Sequence, residues 1–265
     1  MEQSGILSAK KRLVIKVGTA VLTQDGQLAL ERMQNLVDLI AKLKNEKDLE
    51  VILVSSGAVG AGYTSLKLDK KIVANKQALA AIGQPLLMKH YKKRFREHEI
   101  ICAQMLFIAD DFDSRKRSKN AQNVMEILLE NKILPIINEN DVIATEELVF
   151  GDNDQLAAHV AYYFKADMLA ILSDIDGYYN KNPREFNDAV LQKNVFNIPV
   201  EELQMKHSAN SEFATGGIVT KLKAANFLME RDIPMYLTSG FDLTNVYDFL
   251  VDGNHKSGTL FQAKN

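Results

Sequence analysis

Carboxamide and carboxylate side chains are concentrated in two short stretches of this 265-residue chain. The first, NEND at residues 138–141, directly follows an apolar run at residues 133–137, and the second, GDND at residues 151–154, follows further along the chain. Polar residues at the end of a buried parallel strand lie where α/β sheets place their binding crevice. We therefore expect these two stretches to hold a ligand.

Three glycine-rich turns predict a second kind of chemistry, the binding of anions. They are KVGT at residues 16–19, SSGAVGAG at residues 55–62 and TGGIVTK at residues 215–221. Where such a turn opens a helix, free backbone N–H groups and the helix dipole favour phosphate, and the ammonium groups of Lys16 and Lys221 add full charges. Any one turn alone is more simply a tight strand-to-helix connection, but three together favour a phosphate site.

Short β-branched runs alternate with longer amphipathic stretches along the chain, which is typical of an α/β fold. Most of the runs look like buried parallel strands, so we predict a three-layer αβα sandwich with a mostly parallel central sheet. No linker divides the chain, and we expect residues 1–265 to form a single domain. Predicted strands cover residues 13–17, 51–54, 100–106, 133–137, 168–172 and 235–238, and predicted helices cover residues 29–44, 76–96, 119–130, 154–165 and 217–231.

The composition disfavours several classes of protein. With 32 Lys and Arg against 34 Asp and Glu, the net charge of −2 gives no general attraction for nucleic acid or an anionic membrane. The single cysteine, Cys102, excludes an intrachain disulfide, and its apolar neighbours predict a buried thiol of an intracellular protein. The apolar run after the basic residues near the N-terminus is too short for a secretion signal or a membrane span, which predicts a cytoplasmic location.

Common nucleotide and metal motifs do not occur. No turn has the pattern G-x-x-x-x-G-K-[ST], and the glycines of residues 55–62 do not fit G-x-G-x-x-G, which disfavours P-loop kinases and dinucleotide dehydrogenases. The five histidines form no H-E-x-x-H pattern, and one cysteine supplies no thiolate cluster, so we predict no metal ligand in the protein.

The motifs at residues 16–19, 55–58, 137–141, 151–154 and 215–221 resemble, in this order, those of the amino acid kinase family. The resemblance spans nearly the whole chain, and the NEND and GDND pair is similar to the branch of the family that phosphorylates glutamate. It implies transfer of the γ-phosphoryl group of ATP to the side-chain carboxylate of L-glutamate for proline biosynthesis, with Mg²⁺ bridging the nucleotide phosphates. A carboxylate nucleophile is already ionised at neutral pH, so no catalytic base is required.

The resemblance also implies roles for individual residues. Lys16 and Lys221 would stabilise the transferring phosphoryl group, and Asp154 would hold the catalytic lysine, although an aspartate here is also a favoured helix N-cap. The implied substrate-binding residues are Ser56, Gly57, Asn138, Asp141 and Asn153, and the implied ATP-binding residues are Lys16, Gly18, Ser173, Asp174, Thr215, Gly216, Gly217, Ile218, Val219, Thr220 and Lys221.

Further expectations follow from the resemblance. Proline would inhibit the protein, the chain would form a homodimer or homotetramer, and the labile product would pass to a glutamyl phosphate reductase. Many of the similar kinases continue past residues 257–261 into a small C-terminal PUA domain, which this chain is expected to lack. Two alternatives stay open: a related kinase with another carboxylate or phosphate acceptor, and a non-catalytic amino-acid sensor, although the presence of both lysines argues against the sensor.

Overall fold

The chain folds as an α/β protein, and the computed structural model describes residues 12–144, 153–183, 185–204 and 217–264. Among these residues, eight strands belong to a mostly parallel central sheet, which confirms the predicted fold class. In chain order the elements are β1 (Arg12–Val17), α1 (Thr19–Leu22), β2 (Thr23–Gln24), β3 (Gln27–Leu28), α2 (Leu30–Lys47), β4 (Glu50–Ser55), α3 (Ala58–Ser65), α4 (Val73–Arg96), β5 (Cys102–Phe107), α5 (Ala109–Asp113), α6 (Arg115–Glu130), β6 (Leu134–Glu139), α7 (Asn153–Tyr163), β7 (Met168–Ser173), β8 (Asn194–Val195), α8 (Val200–Leu203), α9 (Gly217–Met229), β9 (Met235–Ser239), α10 (Thr244–Asp252) and β10 (Thr259–Phe261).

The chain divides into two compact units, residues 17–149 and residues 1–16 together with 150–265. In the first unit, β6 lies between β5 and β4 and is parallel to both. Because the three strands run in the same direction, their carboxyl ends meet at one edge, where Asn138 lies opposite Leu106. This edge therefore carries the NEND stretch and the residues that follow β4.

In the unit of residues 1–16 and 150–265, β7 is parallel to β9, with Ser173 opposite Ser239. β10 is antiparallel to β9 and parallel to β8, so the strand order is β7-β9-β10-β8. All six residues of β7 are buried, as expected for a strand that is covered on both faces. β1 is bound to this unit at Arg12, whose carbonyl accepts a hydrogen bond of 2.8 Å from the backbone N–H of Asp167.

Two glycines allow the backbones of α3 and α4 to touch. A Cβ atom on Gly83 would lie 1.8 Å from the carbonyl oxygen of Ala58, and one on Gly62 would lie 1.9 Å from that of Leu79. Both distances are far below van der Waals contact, so only glycine fits either position. This approach fixes α3, which begins directly after Gly57.

The central strands and the long helices were predictable within a few residues, but the shorter elements were not. The glycine-rich stretch 55–62 was predicted as a turn, and this is wrong for its second half, because Gly60 and Gly62 lie inside α3. Strands β8 and β10 and helix α10 were missed because they are short or follow the irregular region after β7. The prediction of a single domain for residues 1–265 stays a prediction.

The structure also bears on two further expectations, one about membrane-spanning segments and one about the burial of Cys102. In the described ranges, none of the helices has the length and apolar character needed to cross a membrane. The thiol of Cys102, at the start of β5, is half-buried rather than buried. Burial nevertheless raises the pKa of this thiol to about 12, which keeps it protonated and unreactive at neutral pH.

Candidate active site

Two buried lysines share one buried aspartate in the unit of residues 1–16 and 150–265. Lys16 Nζ lies 2.5 Å from Asp154 Oδ1, and Lys221 Nζ lies 2.9 Å from Asp154 Oδ2. The side chains of Lys16, Lys221 and Asp154 are 2%, 4% and 0% exposed. Two ammonium groups and one carboxylate leave this cluster a formal charge of +1, and buried charge is costly unless it is compensated. The arrangement therefore suits an anionic ligand.

Three elements bring these side chains together. Lys16 stands near the end of the buried strand β1, Asp154 is the second residue of α7, and Lys221 lies in the first turns of α9. A carboxylate in the first turn of a helix is favoured by the helix dipole. The alternative role of Asp154 as an N-cap is not what the structure shows, because α7 already includes Asn153 and the carboxylate is used on the lysines.

The ionisation of Asp154 is determined by its two partners. Burial alone raises the pKa of this carboxyl group, but the ammonium groups of Lys16 and Lys221, which also donate hydrogen bonds to it, outweigh burial. The net effect holds the pKa of Asp154 below its ordinary value. Asp154 is therefore an anion at neutral pH, paired with both lysines.

A second set of hydrogen bonds joins α7 to α9 next to the cluster. The hydroxyl oxygen of Thr220 lies 3.2 Å from Asp154 Oδ2 and 3.1 Å from the carbonyl oxygen of Gly217, so its single proton has two acceptors within reach. Lys221 Nζ donates to the same Gly217 carbonyl at 2.9 Å. In the opposite direction, Gln155 Nε2 donates to the backbone carbonyl of Thr220 at 2.7 Å. The sequence analysis did not identify Gln155, because no motif or spacing singles it out.

The other residues predicted to bind ATP in this unit lie at the ends of two elements. Ser173 ends β7, is 3% exposed, and donates a hydrogen bond of 2.9 Å to the exposed carboxylate of Asp174. Gly217 begins α9, and it is followed by half-buried Ile218 and buried Val219. The side chain of Val219 belongs to the core, so Val219 could contact a ligand only through its backbone. Thr215 and Gly216 lie outside the described residues, as do Gly151 and Asp152 of the GDND stretch.

In the unit of residues 17–149, two of the predicted residues follow β4. Ser56 is 6% exposed, and its backbone N–H donates a hydrogen bond of 3.3 Å to the carbonyl of Val17. Gly57 has a φ of +103°, which L-residues with side chains rarely adopt, and α3 begins at the next residue. Gly18 precedes α1, whose four residues provide only a small helix dipole.

Asn138 is held in a chain of carboxamides that leads from the interior to the exposed side chain of Gln104. The backbone N–H of Glu139 donates to Asn138 Oδ1 at 2.9 Å, and Asn138 Nδ2 donates to Gln84 Oε1 at 2.9 Å. Gln84 Nε2 then donates to Gln104 Oε1 at 3.0 Å. Because a backbone N–H can only donate, it assigns the orientation of each amide in turn. Neither glutamine was found from the sequence, since their spacing carries no motif.

The remaining predicted substrate residues differ in burial. Asp141 is half-buried at the end of the NEND stretch, and burial raises the pKa of its carboxyl group, an effect that Lys76 opposes. Asn153, at the start of α7, is 9% exposed. Among the described residues, no group of three or more His, Cys, Asp or Glu side chains is placed to hold a metal ion.

The comparison with protein families identifies the class to which this fold and site belong. Residues 11–239 match the model of the amino acid kinase family, and the chain belongs to that family.

Curated relatives narrow the comparison. Over 95% of this chain and 97% of the relative, the sequence is 56% identical to a glutamate 5-kinase from Wolinella succinogenes. It is 52% identical to a glutamate 5-kinase from Leishmania donovani over 98% of each chain, and 49% identical to one from Helicobacter hepaticus over 95% of each.

Solved structures of more distant proteins share the fold. A carbamate kinase from Giardia lamblia bound to AMP-PNP aligns with a TM-score of 0.66 at 15% identity, covering 97% of this chain and 99% of that one. An isopentenyl phosphate kinase substrate complex aligns with a TM-score of 0.63 at 16% identity, covering 94% and 99%. At these identities the likeness concerns the fold alone.

Proposed function

We propose that this chain catalyses ATP-dependent phosphorylation of the side-chain carboxylate of L-glutamate, the first step of proline biosynthesis. The observation that carries the proposal is the buried cluster of Lys16, Asp154 and Lys221, which has the charge and burial to receive a phosphoryl group. The choice of glutamate as acceptor is supported by the full-length similarity to glutamate 5-kinases.

The reaction needs positive charge and positioning rather than proton transfer. A carboxylate oxygen of glutamate forms a bond to the γ-phosphorus of ATP, and the bond from that phosphorus to the β,γ-bridging oxygen breaks, its electron pair leaving with ADP. The acceptor is already ionised, so no base takes part. The barrier lies in bringing two anions together and in stabilising the charge on the equatorial oxygens.

The two lysines supply this positive charge, and each of them is bound to a different oxygen of one carboxylate. Asp154 uses Oδ1 for Lys16 and Oδ2 for Lys221, so each ammonium is held in place by its own carboxylate oxygen. A fixed ammonium costs no reorganisation when charge develops on the phosphoryl group. Backbone amides near Gly18 and at the start of α9, at Gly217, would contribute further donors, with Ser173 and Asp174 on the nucleotide side.

In this scheme, Mg²⁺ would bind together with the nucleotide. The described residues offer no cluster of protein ligands for it, whereas phosphate oxygens and water form the coordination that Mg²⁺ commonly keeps. When bound, it would neutralise part of the phosphate charge.

Glutamate recognition is assigned to the carboxyl end of β6 and to the residues after β4. The α-ammonium of glutamate would pair with Asp141, and the α-carboxylate needs donors such as the amides of Asn138 and Asn153 and the hydroxyl of Ser56. The fixed orientation of the Asn138 amide supports this role, because a preordered donor loses less entropy when ligand binds.

The resemblance supports further parts of the proposal. Proline shares the α-carboxylate and ammonium of glutamate and would inhibit by occupying the same site. We further propose that the chain forms a homodimer or homotetramer in the cytoplasm. This oligomer would deliver its acyl phosphate product to a glutamyl phosphate reductase. Proline competition is tested by the dependence of inhibition on glutamate concentration, and inhibition that excess glutamate cannot relieve would contradict a shared site.

The function is tested by trapping the acyl phosphate with hydroxylamine in the presence of Mg-ATP. We expect glutamate-dependent hydroxamate from the wild type, loss of most of it in Lys221→Ala, and a near-normal rate in Lys223→Ala, an exposed lysine on the same helix. Aspartate, acetylglutamate and uridylate are tested as alternative acceptors, and ADP release measures turnover with each of them. Turnover with one of these and not with glutamate would retain the kinase chemistry and reject the substrate, and no turnover at all would favour a sensor.

A further inference from the structure

The bonds between α7 and α9 form a reciprocal arrangement that involves two consecutive residues on each helix. From α9, Thr220 and Lys221 both reach Asp154 Oδ2, at 3.2 and 2.9 Å. From α7, the neighbour of Asp154, Gln155, reaches back to the backbone carbonyl of Thr220 at 2.7 Å. Side chains therefore cross between the same two helix turns in both directions, and we call this arrangement the Gln155–Thr220 bridge.

We propose that Gln155 and Thr220 are positioning residues that hold the ammonium of Lys221 at the reacting phosphoryl group. This inference rests on the proposed function. It gives Gln155 and Thr220 a part that is played through Lys221, in addition to the ATP contact that the resemblance implies for Thr220.

Gln155 acts on the backbone of α9. The Thr220 carbonyl is only one peptide from the Lys221 Cα, so a 2.7 Å bond there fixes where the lysine side chain starts. A lysine side chain is a flexible four-carbon stem. Its ammonium therefore has a defined position only if the Cα from which the stem extends is fixed. Gln155 therefore limits motion of α9 along its own axis relative to Asp154.

Thr220 acts on the carboxylate. Its hydroxyl and the Lys221 ammonium share Oδ2, and both also share the Gly217 carbonyl, at 3.1 and 2.9 Å. With Lys16 on Oδ1, the hydroxyl keeps the carboxylate plane turned so that each lysine meets a different oxygen. Without it, the carboxylate can rotate, and the Lys221 ammonium can move with it.

The test uses variants that remove one hydrogen bond each and keep side-chain size. Gln155→Met and Thr220→Val lack the donors, whereas Thr220→Ser keeps the hydroxyl. Asn226→Ala is the matched control, because Asn226 on α9 makes an exposed hydrogen bond to Glu230, just past the end of the helix and away from the bridge. The bond from Gln155 to the Thr220 carbonyl joins neutral groups, and its loss corresponds to a change of roughly 3- to 10-fold in rate, whereas the Thr220 hydroxyl bonds to an ionised carboxylate, for which the change is at least as large.

We expect kcat for glutamyl hydroxamate formation to fall roughly 3- to 10-fold in Gln155→Met and at least as much in Thr220→Val, with little change in KM for glutamate. Thr220→Ser should recover most of the rate, and Asn226→Ala should match the wild type. Melting temperatures measured in parallel identify any variant that fails to fold.

A second measurement separates positioning from loss of folded enzyme. The ratio of kcat with ATP to kcat with ATPγS does not depend on the folded fraction, but it depends on how an ammonium is placed against the γ-phosphoryl oxygens. We expect this ratio to shift at least twofold in Gln155→Met and Thr220→Val and to stay constant in Thr220→Ser and Asn226→Ala. A lower kcat with an unchanged ratio, or wild-type kinetics in both variants, would overturn the inference.

The two proposals fail in different ways. If the wild type forms no glutamyl hydroxamate, the proposed function is wrong. If the wild type forms it and the bridge variants behave as the wild type, the function stands and the bridge has no positioning role.

Discussion

At the scale of single residues, the feature that matters most is one carboxylate divided between two lysines. Each oxygen of Asp154 faces its own ammonium, and all three groups are almost completely buried. Such clusters contribute little net stability, because desolvation offsets their attraction, but breaking one partner is strongly destabilising. Stability therefore does not account for the cluster, which supports the proposed role of these residues in phosphoryl transfer.

Replacing either lysine should remove transition-state stabilisation. We expect Lys16→Ala and Lys221→Ala to lower kcat by about 100- to 1,000-fold, the usual effect of losing a preorganised electrostatic group. Steady-state hydroxamate formation measures the change, with Lys223→Ala as the control on α9. A fall of less than about threefold in both variants would show that the cluster does not face the reacting group.

The low pKa of Asp154 predicts how acid affects folding. The folded-state pKa lies below the ordinary value of about 3.9, so the unfolded chain binds the proton more readily. The contribution of this carboxylate is complete above about pH 4 and is lost as the pH falls through the lower folded-state pKa. We therefore expect Asp154→Asn to be less stable than the wild type at neutral pH, by about 3–5 kcal/mol, with the difference shrinking in acid.

Denaturant unfolding between pH 3 and pH 7 measures this difference. Asp48→Asn is a suitable comparison, because Asp48 pairs with Lys132 at an exposed position, where ion pairs contribute little. An Asp154→Asn difference that stays constant over the whole range would contradict the assignment.

Part of this site was predictable from residue types and spacing, and part was not. Lys16 and Lys221 stand beside glycine-rich turns, so their chemistry was visible in the sequence. The family resemblance also named Asp154 as the residue that holds the catalytic lysine, and Thr220 as an ATP-binding residue. The bond from Gln155 to Thr220 was not predictable, because the two residues are 65 positions apart and meet only when α7 packs on α9. Likewise, nothing in the sequence predicts that the side-chain amide of Gln84 accepts a hydrogen bond from Asn138.

At the scale of elements, the contact of α3 with α4 decides where the residues after β4 lie. The sequence did not predict α3, because Gly60 and Gly62 have low helix propensity, and the close packing on α4 outweighs that preference. The strands, in contrast, were predictable because buried parallel strands are continuous apolar runs.

Adding one methyl group at this contact should disturb the proposed glutamate site. Gly83→Ala would place a Cβ 1.8 Å from the Ala58 carbonyl, so α3 must move away from α4. We expect a loss of stability of about 1–3 kcal/mol or more, together with a higher KM for glutamate, since α3 begins next to Ser56. Ala81→Ser, at an exposed position of α4, is the control. An unchanged melting temperature and KM in Gly83→Ala would refute this account.

At the scale of the whole molecule, ligand binding should be visible as stabilisation. A ligand that binds only the folded chain at 100 times its Kd adds about 2.7 kcal/mol. We expect Mg-ATP and L-glutamate each to raise the melting temperature of the wild type. Lys221→Ala should reduce the shift with Mg-ATP and retain the shift with glutamate. Equal loss of both shifts would point to a folding defect in the variant instead of a lost phosphate contact.

The position of β10 has a consequence for how the protein is made. Residues 259–261 form a strand between β9 and β8, although β8 is synthesised some 60 residues earlier, at residues 194–195. In addition, β1 belongs to the same unit as residues 150–265. This unit therefore cannot complete its strand pairing before residue 261 has been synthesised, and its long-range pairings favour slow folding. Until then, the unpaired edges of β9 and β8 are open to pairing with other chains, which favours aggregation.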